Sequence, residues 1–279
     1  YDADLVDILI RGISQFPQTV AKVAKARVVL KPNIVEVEPD LPIHTDTRFI
    51  VSAVEAFRAL GAREVVVAEG AGHRRDTYLM LEQSGLHQAL EKLKAPFVDL
   101  NIDDTTPVPL TLNRSGLNEI HFPHTVLGAD LLVSLPKMKT HHWAGVTLTM
   151  KNLFGLLPGA IYGWPKNTLH WHSIPLCISD IWKTINPGFA IVDGIVGMEG
   201  DGPVAGSAVN SGVIVMGEHF PAVDATCARI MGFDPEQLPY LQLIRGRMAT
   251  VSASRIEMVG EKIEPLSFQP APSFDFLRS

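Results

Sequence analysis

Cysteine and charged residues are both scarce in this sequence, and each shortage excludes a class of protein. The 279 residues include two cysteines, Cys177 and Cys227, and no CxxC pair. This excludes a disulfide framework, a zinc ribbon and a ferredoxin-type iron–sulfur site. Charged residues make up 19% of the chain, against 46% hydrophobic residues. Such a chain can bury a large core and does not belong to the disordered class.

Positive charge and long apolar runs are lacking as well. The chain has 24 lysines and arginines against 30 aspartates and glutamates, which gives a net charge of −6. Because non-specific binding to nucleic acid needs a basic surface, we expect no nucleic-acid partner. No apolar run is long enough to span a bilayer, so we expect no membrane partner. The sequence opens at Tyr1 without a methionine, which leaves the location open between the cytoplasm and export after removal of a leader.

Apolar β-branched runs alternate with amphipathic segments along most of the chain. The runs predict strands at 26–33, 63–70, 96–100, 130–137, 188–194 and 211–217, and the amphipathic segments predict helices at 46–61, 75–93, 173–185 and 221–232. Residues 101–123 predict a small antiparallel excursion with a turn at 113–116. The whole predicts an α/β fold, a mostly parallel sheet with helices on both faces. We expect one domain over 1–250, which could divide into lobes 1–125 and 126–250 around a cleft, and a tail over 251–279 that packs on the body.

Polar residues follow four of the predicted strands. The clusters are Lys31-Pro32-Asn33, Glu69-Gly70-Ala71-Gly72-His73, Pro136-Lys137-Met138-Lys139 with His141 and His142, and the stretch from Asp193 to Pro203. If the strands are parallel, their carboxyl ends bring these clusters to one edge of the sheet. Ligands bind at that edge in doubly wound α/β proteins, near a switch in strand order.

The segment 132–159 carries three lysines in apolar surroundings. Lys137 and Lys139 lie two residues apart, so an extended chain would point both to the same side, and Lys151 precedes Asn152. Converging ammonium groups would bind a carboxylate or a phosphate. A desolvated lysine beside other cations would also have a lowered pKa and could act as a base or a nucleophile. Ordinary lysines in a solvated loop are the simpler interpretation, but the flanking sequences are too apolar for it.

Histidines and carboxylates supply a second hypothesis, a divalent metal. His170 and His172 form an HxH pair, and such a pair on a strand puts both rings on one face. Asp193 and Glu199 could complete the ligand set, although the spacing matches no strict zinc motif. The simpler alternative is a histidine that is hydrogen-bonded within a loop.

Two further features are open to two interpretations each. Five glycines lie within 194–206, and a glycine-rich turn can present backbone N–H groups to an anion; a flexible loop is the alternative. Asp224 stands alone at the start of an apolar helix. A helix cap is the role we favour for it, and a hydrogen-bond anchor to the site is the alternative.

These observations define a candidate site on one edge of the sheet. Lys139 and His141 are the candidate catalytic pair. The candidate ligand-binding residues are Lys31, Asn33, His73, Lys137, Lys151, Asn152, Gly200 and Gly202. The candidate metal ligands are His170, His172, Asp193 and Glu199.

Several motifs in this sequence resemble the domain of unknown function 362 family. They are LKPN, LPKMKTH, MKNLFGLLPG, a histidine near 170, IVDGIVGMEGDGPVAG and AVDATCARIMG, and they occur in the right order over about residues 26–235. Many members of the family carry an attached ferredoxin-type iron–sulfur module. This sequence lacks the cysteines of that module, so we expect no iron–sulfur cluster.

A looser similarity links residues 44–74 to the nickel-pincer lactate racemase family. That family has an Asp-x-Thr-Arg segment followed by a Gly-x-His-Arg turn, and Thr47, Arg48, His73 and Arg74 match it. The leading aspartate is displaced to Asp46, where the family would place it at Thr45. The similarity indicates a fold and a site position rather than racemisation.

The sequence thus leaves three functions open. The first is a cleft that binds a small anionic metabolite or cofactor, in an enzyme that could be assisted by a metal. The second is a non-catalytic carrier of a metal or cofactor, or a redox accessory protein. The third is a structural protein, in which the lysines would pair with carboxylates and leave no open cavity. The oligomeric state has no signal in the sequence.

Overall fold

The fold centres on one large sheet with helices packed against both of its faces. The computed structural model describes residues 1–38, 40–72, 76–164, 166–246 and 248–278. The strands are β1 (Arg27–Pro32), β2 (Glu64–Glu69), β3 (Phe97–Asp99), β4 (Thr105–Pro109), β5 (Glu119–Pro123), β6 (Leu131–Leu135), β7 (Lys137–His141), β8 (Gly145–Thr147), β9 (Phe189–Glu199) and β10 (Ser207–Gly217).

Helices precede, connect and follow these strands. They are α1 (Leu5–Ile13), α2 (Pro17–Val23), α3 (Thr47–Ala59), α4 (Thr77–Gln83), α5 (Leu86–Leu93), α6 (His124–Leu127), α7 (Thr149–Asn152), α8 (Gly159–Tyr162), α9 (Asn167–Trp171), α10 (Ile174–Ile185), α11 (Phe220–Ile230) and α12 (Pro239–Ile244). Short 3-10 helices cover Leu153–Leu156, Pro235–Gln237, Ala253–Arg255 and Pro272–Leu277.

The strand order contains the switch that the sequence predicts. The main sheet runs β3-β2-β1-β6-β9-β7-β8, and β10 pairs with β9. Strands β1, β2, β3, β6 and β9 pair in parallel, whereas β10 lies antiparallel to β9 and β8 antiparallel to β7. The order changes direction between β1 and β6, since β2 lies on one side of β1 and β6 on the other. The predicted α/β fold with a mostly parallel sheet is confirmed.

The sequence predicts one strand over 130–137, whereas the structure has two strands there, the second of which continues to His141. Pro136 interrupts the strand, and β7 then continues parallel to β9. β6 pairs with the beginning of β9, at Phe189, and β7 pairs with its middle, at Asp193. Lys137, Lys139 and His141 therefore occupy alternate positions of a buried strand.

Alternation along the parallel strands divides the core between the two faces of the sheet. Val29 of β1 and Val66 of β2 belong to one apolar cluster, with residues of α7, α10 and α11. Val28 and Leu30 belong to the other cluster, with residues of α1, α3 and α5. Side chains on both faces are thus buried, as a sheet covered by helices requires.

Sequence signals at element ends agree with the structure in several places. Asp46 caps α3, and its carboxylate accepts a hydrogen bond from the backbone N–H of Arg48 at 2.8 Å. The predicted excursion is the two-stranded antiparallel sheet β4-β5. The tail beyond residue 250 places Phe268, Phe274 and Leu277 in the main apolar cluster.

No helix in the described ranges is both long and apolar enough to cross a bilayer.

Candidate functional site

A cavity of about 480 Å³ lies at the carboxyl ends of β1, β2 and β7. Its walls come from the segments that follow these strands, together with α7 and α9. The lining residues include Lys31, Asn33, Glu36, Glu69, Gly70, Gly72, His141, His142, Trp143, Thr147, Lys151, Asn152, Phe154, Gly155, Lys166, Asn167, His170, Pro203 and Val204. All four predicted clusters thus contribute to one cavity at the predicted edge, the fourth through Pro203.

Lys31 and Glu69 form a buried ion pair in the floor of the cavity. The Lys31 Nζ lies 2.8 Å from the Glu69 carboxylate, and both side chains are almost fully buried. Backbone N–H groups of Ile34 and Gly70 donate to the same carboxylate at 2.8 and 2.9 Å. The backbone at Gly155 passes close to this ion pair, which requires a glycine because a Cβ there would lie 2.6 Å from the Lys31 Nζ. This glycine is the middle of the sequence motif LFGLL.

Two asparagines extend the buried network from the ion pair. The Asn152 Oδ1 accepts hydrogen bonds from the Lys31 Nζ at 3.1 Å and from the Asn33 Nδ2 at 3.2 Å. The Asn152 Nδ2 donates to the Lys31 carbonyl and to the Ser134 hydroxyl, both at 3.0 Å. Asn33 is 7% exposed, and its Oδ1 has no hydrogen-bond partner among the residues that the structure describes. Since buried acceptors are nearly always paired, this oxygen is a candidate contact for a ligand donor.

Lys166 reaches the cavity from the loop before α9. Its Nζ donates to the Asn101 Oδ1 at 2.8 Å and to the carbonyls of Gly70 at 3.2 Å and Ala71 at 3.5 Å. Burial is the main cause that lowers the pKa of Lys166 to about 8; the charge of Glu69 opposes this effect and that of Lys31 adds to it. Lys166 is thus a fixed positive charge whose three donors are already used.

Lys151 is the cavity lysine without a polar partner among the described residues. Its Nζ lies over the ring of Phe154, 4.4 Å from the centroid. Burial, followed by the charges of Lys31 and Lys166, lowers the pKa of Lys151 to about 7. The proton on this amine is therefore near balance at neutral pH, whereas an exposed lysine stays charged.

The short helix α7 holds Lys151 and Asn152 in place, and Asp224 holds the start of that helix. The buried Asp224 carboxylate accepts from the backbone N–H of Thr149 at 2.7 Å and of Met150 at 3.2 Å, and from the Tyr240 hydroxyl at 2.9 Å. Burial raises the pKa of Asp224 to about 6. Asp224 lies inside α11, so the expected role as a cap of its own helix is wrong, and the alternative of an anchor to the site describes it.

His141 and His170 line the cavity with complementary ring nitrogens. The His141 Nδ1 accepts from the backbone N–H of Trp143 at 3.0 Å, which leaves the ring proton on Nε2. The His170 Nδ1 lies 2.9 Å from the Lys166 carbonyl, which can only accept, so Nε2 of His170 carries the lone pair. Burial lowers the pKa of both rings. Neutral His141 therefore offers a donor and neutral His170 an acceptor.

The other predicted lysines of β7 lie outside this cavity. Lys137 pairs with the fully buried Asp193 at 2.8 Å and donates to the Tyr1 hydroxyl at 2.6 Å. It lines a second cavity of about 710 Å³ with Tyr1, His44 and Arg48. Lys139 lines neither cavity, and its Nζ donates to the carbonyls of Ile43 and Pro203. Burial, with a smaller contribution from Lys151, lowers the pKa of Lys139 well below its usual value.

The structure does not bring the predicted metal ligands together. His170 lies in α9 and His172 directly follows it, so the expected HxH strand is wrong. The His172 ring contacts the Ser115 carbonyl, Asp193 pairs with Lys137, and Glu199 accepts from the backbone N–H of Gln269. Among the residues that the structure describes, no group of three or more His, Cys, Asp or Glu side chains could hold a metal ion.

The glycine-rich stretch also differs from the expectation. Its first half continues β9 as far as Glu199, so the loop is shorter than the sequence suggests. The N–H of Gly200 donates to the Gln269 carbonyl at 2.7 Å, and the N–H of Gly202 donates to the Gly200 carbonyl at 2.8 Å. These two amides are therefore already engaged, although Pro203 next to them lines the cavity. His73 lies outside the described residues.

Among the cavity residues absent from the predicted site are Glu69, Phe154 and Lys166. Glu69 ends β2, and an acid at the end of a buried strand was the signal for it. Phe154 lies within the LFGLL motif, where it is indistinguishable from a core residue. Lys166 follows Pro165 in the sequence and has a left-handed backbone, and nothing in its sequence context distinguishes it from a surface lysine.

A family model gives the chain its relationship to other proteins. The model described as Domain of unknown function (DUF362) matches residues 28–229, which cover most of the chain and every lining residue of the cavity. The chain belongs to the DUF362 family. The resemblance seen in the sequence motifs is thereby confirmed.

Three individual proteins are similar to this DUF362 chain. A thylakoid-associated protein of Synechocystis sp. is 25% identical over 223 residues, which are 76% of this chain and 65% of that protein. The lactate racemase apoprotein from Thermoanaerobacterium thermosaccharolyticum has a TM-score of 0.41 and 14% identity, over 68% of this chain and 47% of its own. A Thermotoga maritima protein of known structure has a TM-score of 0.42 and 14% identity, over 80% and 58%. The chain thus spans somewhat less than two thirds of the curated relative.

Proposed function

We propose that the cavity at the ends of β1, β2 and β7 binds a small organic anion. The observation that carries this is the Lys151 Nζ, which lines the cavity without a polar partner among the described residues. Lys31 and Lys166 lie close enough for their charges to lower its pKa. Lysines placed in this way attract a carboxylate or a phosphate, because the anion compensates charges that the protein leaves uncompensated.

Shape and polarity of the cavity agree with a metabolite-sized ligand. A volume of about 480 Å³ falls in the usual range for small-molecule sites, and such sites combine apolar walls with a few polar groups. Here the apolar walls include Phe154 and Trp143. The unpartnered Asn33 Oδ1 supplies an acceptor for a hydroxyl or amine of the ligand.

The two histidines give the site the means for proton transfer. The His170 Nε2 can accept a proton from a bound molecule, and the His141 Nε2–H can donate a hydrogen bond to negative charge that develops on it. Because burial keeps both rings neutral, one site offers a base and a hydrogen-bond donor at the same pH. We therefore propose an enzyme that moves a proton on a bound anion. This replaces the pair Lys139 and His141 with Lys151, His141 and His170, since Lys139 does not line the cavity and its Nζ donates to the carbonyls of Ile43 and Pro203.

The hypothesis of a purely structural protein, in which lysines pair with carboxylates, accounts for only some of the buried lysines. Lys31 and Lys137 are paired with carboxylates as that hypothesis requires. Lys151 is not, and it faces a cavity. An anion-binding site explains this difference, whereas a purely structural role does not.

Titration of small carboxylates and phosphates by calorimetry tests the proposal. Lys151→Ala is expected to weaken binding about tenfold or more, which corresponds to roughly 1.4 kcal/mol. Lys22→Ala, which changes an exposed lysine on α2, is the control and should leave affinity unchanged. Equal affinity of the wild type and Lys151→Ala for each ligand found would remove Lys151 from the site.

A further inference from the structure

The amine of Lys151 differs from those of its neighbours because its N–H donors have no hydrogen-bond acceptor among the described residues. Lys31 uses its three N–H donors on the Pro32 carbonyl, Glu69 and the Asn152 Oδ1. Lys166 likewise uses its three donors, on Asn101 and on two backbone carbonyls. Lys151 packs only on an aromatic face in the described part of the chain. Its nitrogen is therefore open to a molecule in the cavity.

Burial and two neighbouring positive charges make this nitrogen a nucleophile. They oppose its protonation, and the pKa of about 7 leaves about half of the amine neutral at neutral pH. A neutral lysine beside other cations is a known means of activating an amine for attack on a carbonyl. The same charges would hold a carboxylate that lies next to that carbonyl.

We propose that Lys151 forms an imine with an oxo acid, a small carboxylic acid whose carbonyl group neighbours the carboxylate. This inference rests on the proposed function, because the oxo acid is a member of the anion class that the cavity is proposed to bind. It adds a covalent step and a substrate class to that function.

The step balances with the groups that line the cavity. The lone pair of the Lys151 nitrogen attacks the carbonyl carbon, and the carbon–oxygen π electrons move to oxygen, which accepts a hydrogen bond from the His141 Nε2–H. The His170 Nε2 removes one proton from the attacking nitrogen and passes it to this oxygen, which gives a carbinolamine. A second proton, taken from solvent, adds to the hydroxyl group, which leaves as water while the nitrogen lone pair forms the carbon–nitrogen double bond. One amine, one carbonyl and one proton thus yield one iminium ion and one water, and both histidines end neutral.

The unpartnered oxygen of Asn33 fits this chemistry independently of the lysine. The carbinolamine carries a hydroxyl group that neither the oxo acid nor the amine has. Asn33 lines the same cavity, and its buried Oδ1 lacks a donor. A hydroxyl formed during the reaction would satisfy it, so the cavity is better matched to the intermediate than to the bound acid.

Reductive trapping tests the inference on the wild-type protein. Phenylpyruvate and pyruvate are the probes, because the cavity has aromatic walls and room for a ring. The protein is incubated with each probe and sodium cyanoborohydride, which reduces an imine to a secondary amine. The expected result is a gain equal to the mass of the oxo acid less one oxygen atom, with peptide mapping that places it on Lys151 in excess over other lysines on the order of tenfold.

Matched ligands and variants separate the covalent step from binding. 3-Phenylpropionate and propionate lack the carbonyl group but are otherwise the same, and their binding is measured by calorimetry. Lys151→Arg should bind 3-phenylpropionate and form no adduct, and Lys22→Ala should form the adduct as the wild type does.

Each of the remaining outcomes overturns the inference in a recognisable way. Binding of both phenylpyruvate and 3-phenylpropionate without an adduct would end the imine proposal and leave the anion site intact. An adduct spread evenly over exposed lysines would show ordinary surface chemistry. Absence of binding by all four acids would count against the proposed function as well.

Discussion

Lys137 and Lys151 belong to the same sequence segment, yet they lie in opposite electrostatic situations. Lys137 is buried against Asp193 and the Tyr1 hydroxyl, and its charge is matched by a carboxylate. Lys151 lies on an aromatic ring beside two other lysines, and no carboxylate matches its charge in the described residues. The number of lysines in the segment therefore says little about function. What matters is whether a carboxylate of the protein has been placed opposite each of them.

Removal of the carboxylate opposite Lys137 is the largest expected effect. Asp193→Asn leaves the Lys137 ammonium buried without a counter-charge, and breaking a buried pair in this way typically costs about 3–5 kcal/mol. The free energy of unfolding from urea denaturation measures it. Asp7→Asn is the matched control, since its pair with Arg11 is exposed and should contribute about 0–1 kcal/mol. Similar losses in the two variants would contradict the structural role of Lys137.

Removal of the carboxylate opposite Lys31 should make that lysine resemble Lys151. Glu69→Gln keeps the shape but leaves the Lys31 ammonium with the Pro32 carbonyl and Asn152 as partners. We expect a loss of about 1–3 kcal/mol in the free energy of unfolding, because a charged hydrogen bond is lost. We also expect tighter binding of a carboxylate in the cavity. Weaker binding of 3-phenylpropionate by Glu69→Gln would show that Glu69 contacts the ligand or shapes the cavity instead.

The pH dependence of anion binding should follow the proton on Lys151. The anion is expected to bind the protonated amine, so binding takes up a proton when the free amine is neutral. With a pKa of about 7 for Lys151, affinity should be greatest below pH 7 and fall about tenfold between pH 6 and pH 8. Lys151→Met should have a weaker affinity that falls only about twofold over this range, because Lys166, with a pKa of about 8, still begins to lose its proton. A wild-type affinity without such a change would place the anion elsewhere.

The smallest expected effect is the stability of Lys151→Met. Methionine keeps most of the side-chain volume and removes an amine that is surrounded by cations. We expect a change within about 1 kcal/mol, of either sign, in the free energy of unfolding. The changes in the free energy of unfolding of Asp193→Asn and Lys151→Met together compare the structural roles of Lys137 and Lys151. A large loss for Lys151→Met would mean that the amine has a structural partner.

The sequence predicted the sheet and the edge where the cavity lies because both depend on local patterns. Alternating apolar runs and amphipathic helices produce a parallel sheet, and a parallel sheet brings its strand ends together. Lys31 and Asn33 reach the cavity for this reason, whereas Lys151 and Asn152 reach it from α7. The alternate positions of Lys137, Lys139 and His141 along β7 were harder to predict. A proline usually ends a strand, and here Pro136 only interrupts it.

Pairing across the fold could not be predicted from the sequence. The partners Lys31 and Glu69 are separated by 38 positions, and Lys137 and Asp193 by 56, so no spacing rule relates them. The prediction that His170 and His172 share one face was wrong for a different reason, because α9 turns the two rings toward different surroundings. Asp224 reaches across to α7 from another helix, which a pattern of polar and apolar residues on one helix does not encode.

The pH-dependent reactivity of each lysine is the most direct test of the central claim that Lys151 is the amine left free for a ligand. Trace labelling with acetic anhydride, read by mass spectrometry at individual lysines, gives the pKa of each reactive amine with and without 3-phenylpropionate. The account predicts that Lys151 reaches half of its maximal labelling near pH 7 and is protected by the acid, while Lys31 and Lys137 remain almost unlabelled. Labelling of Lys151 that follows exposed lysines such as Lys22 and is unaffected by the acid would contradict it.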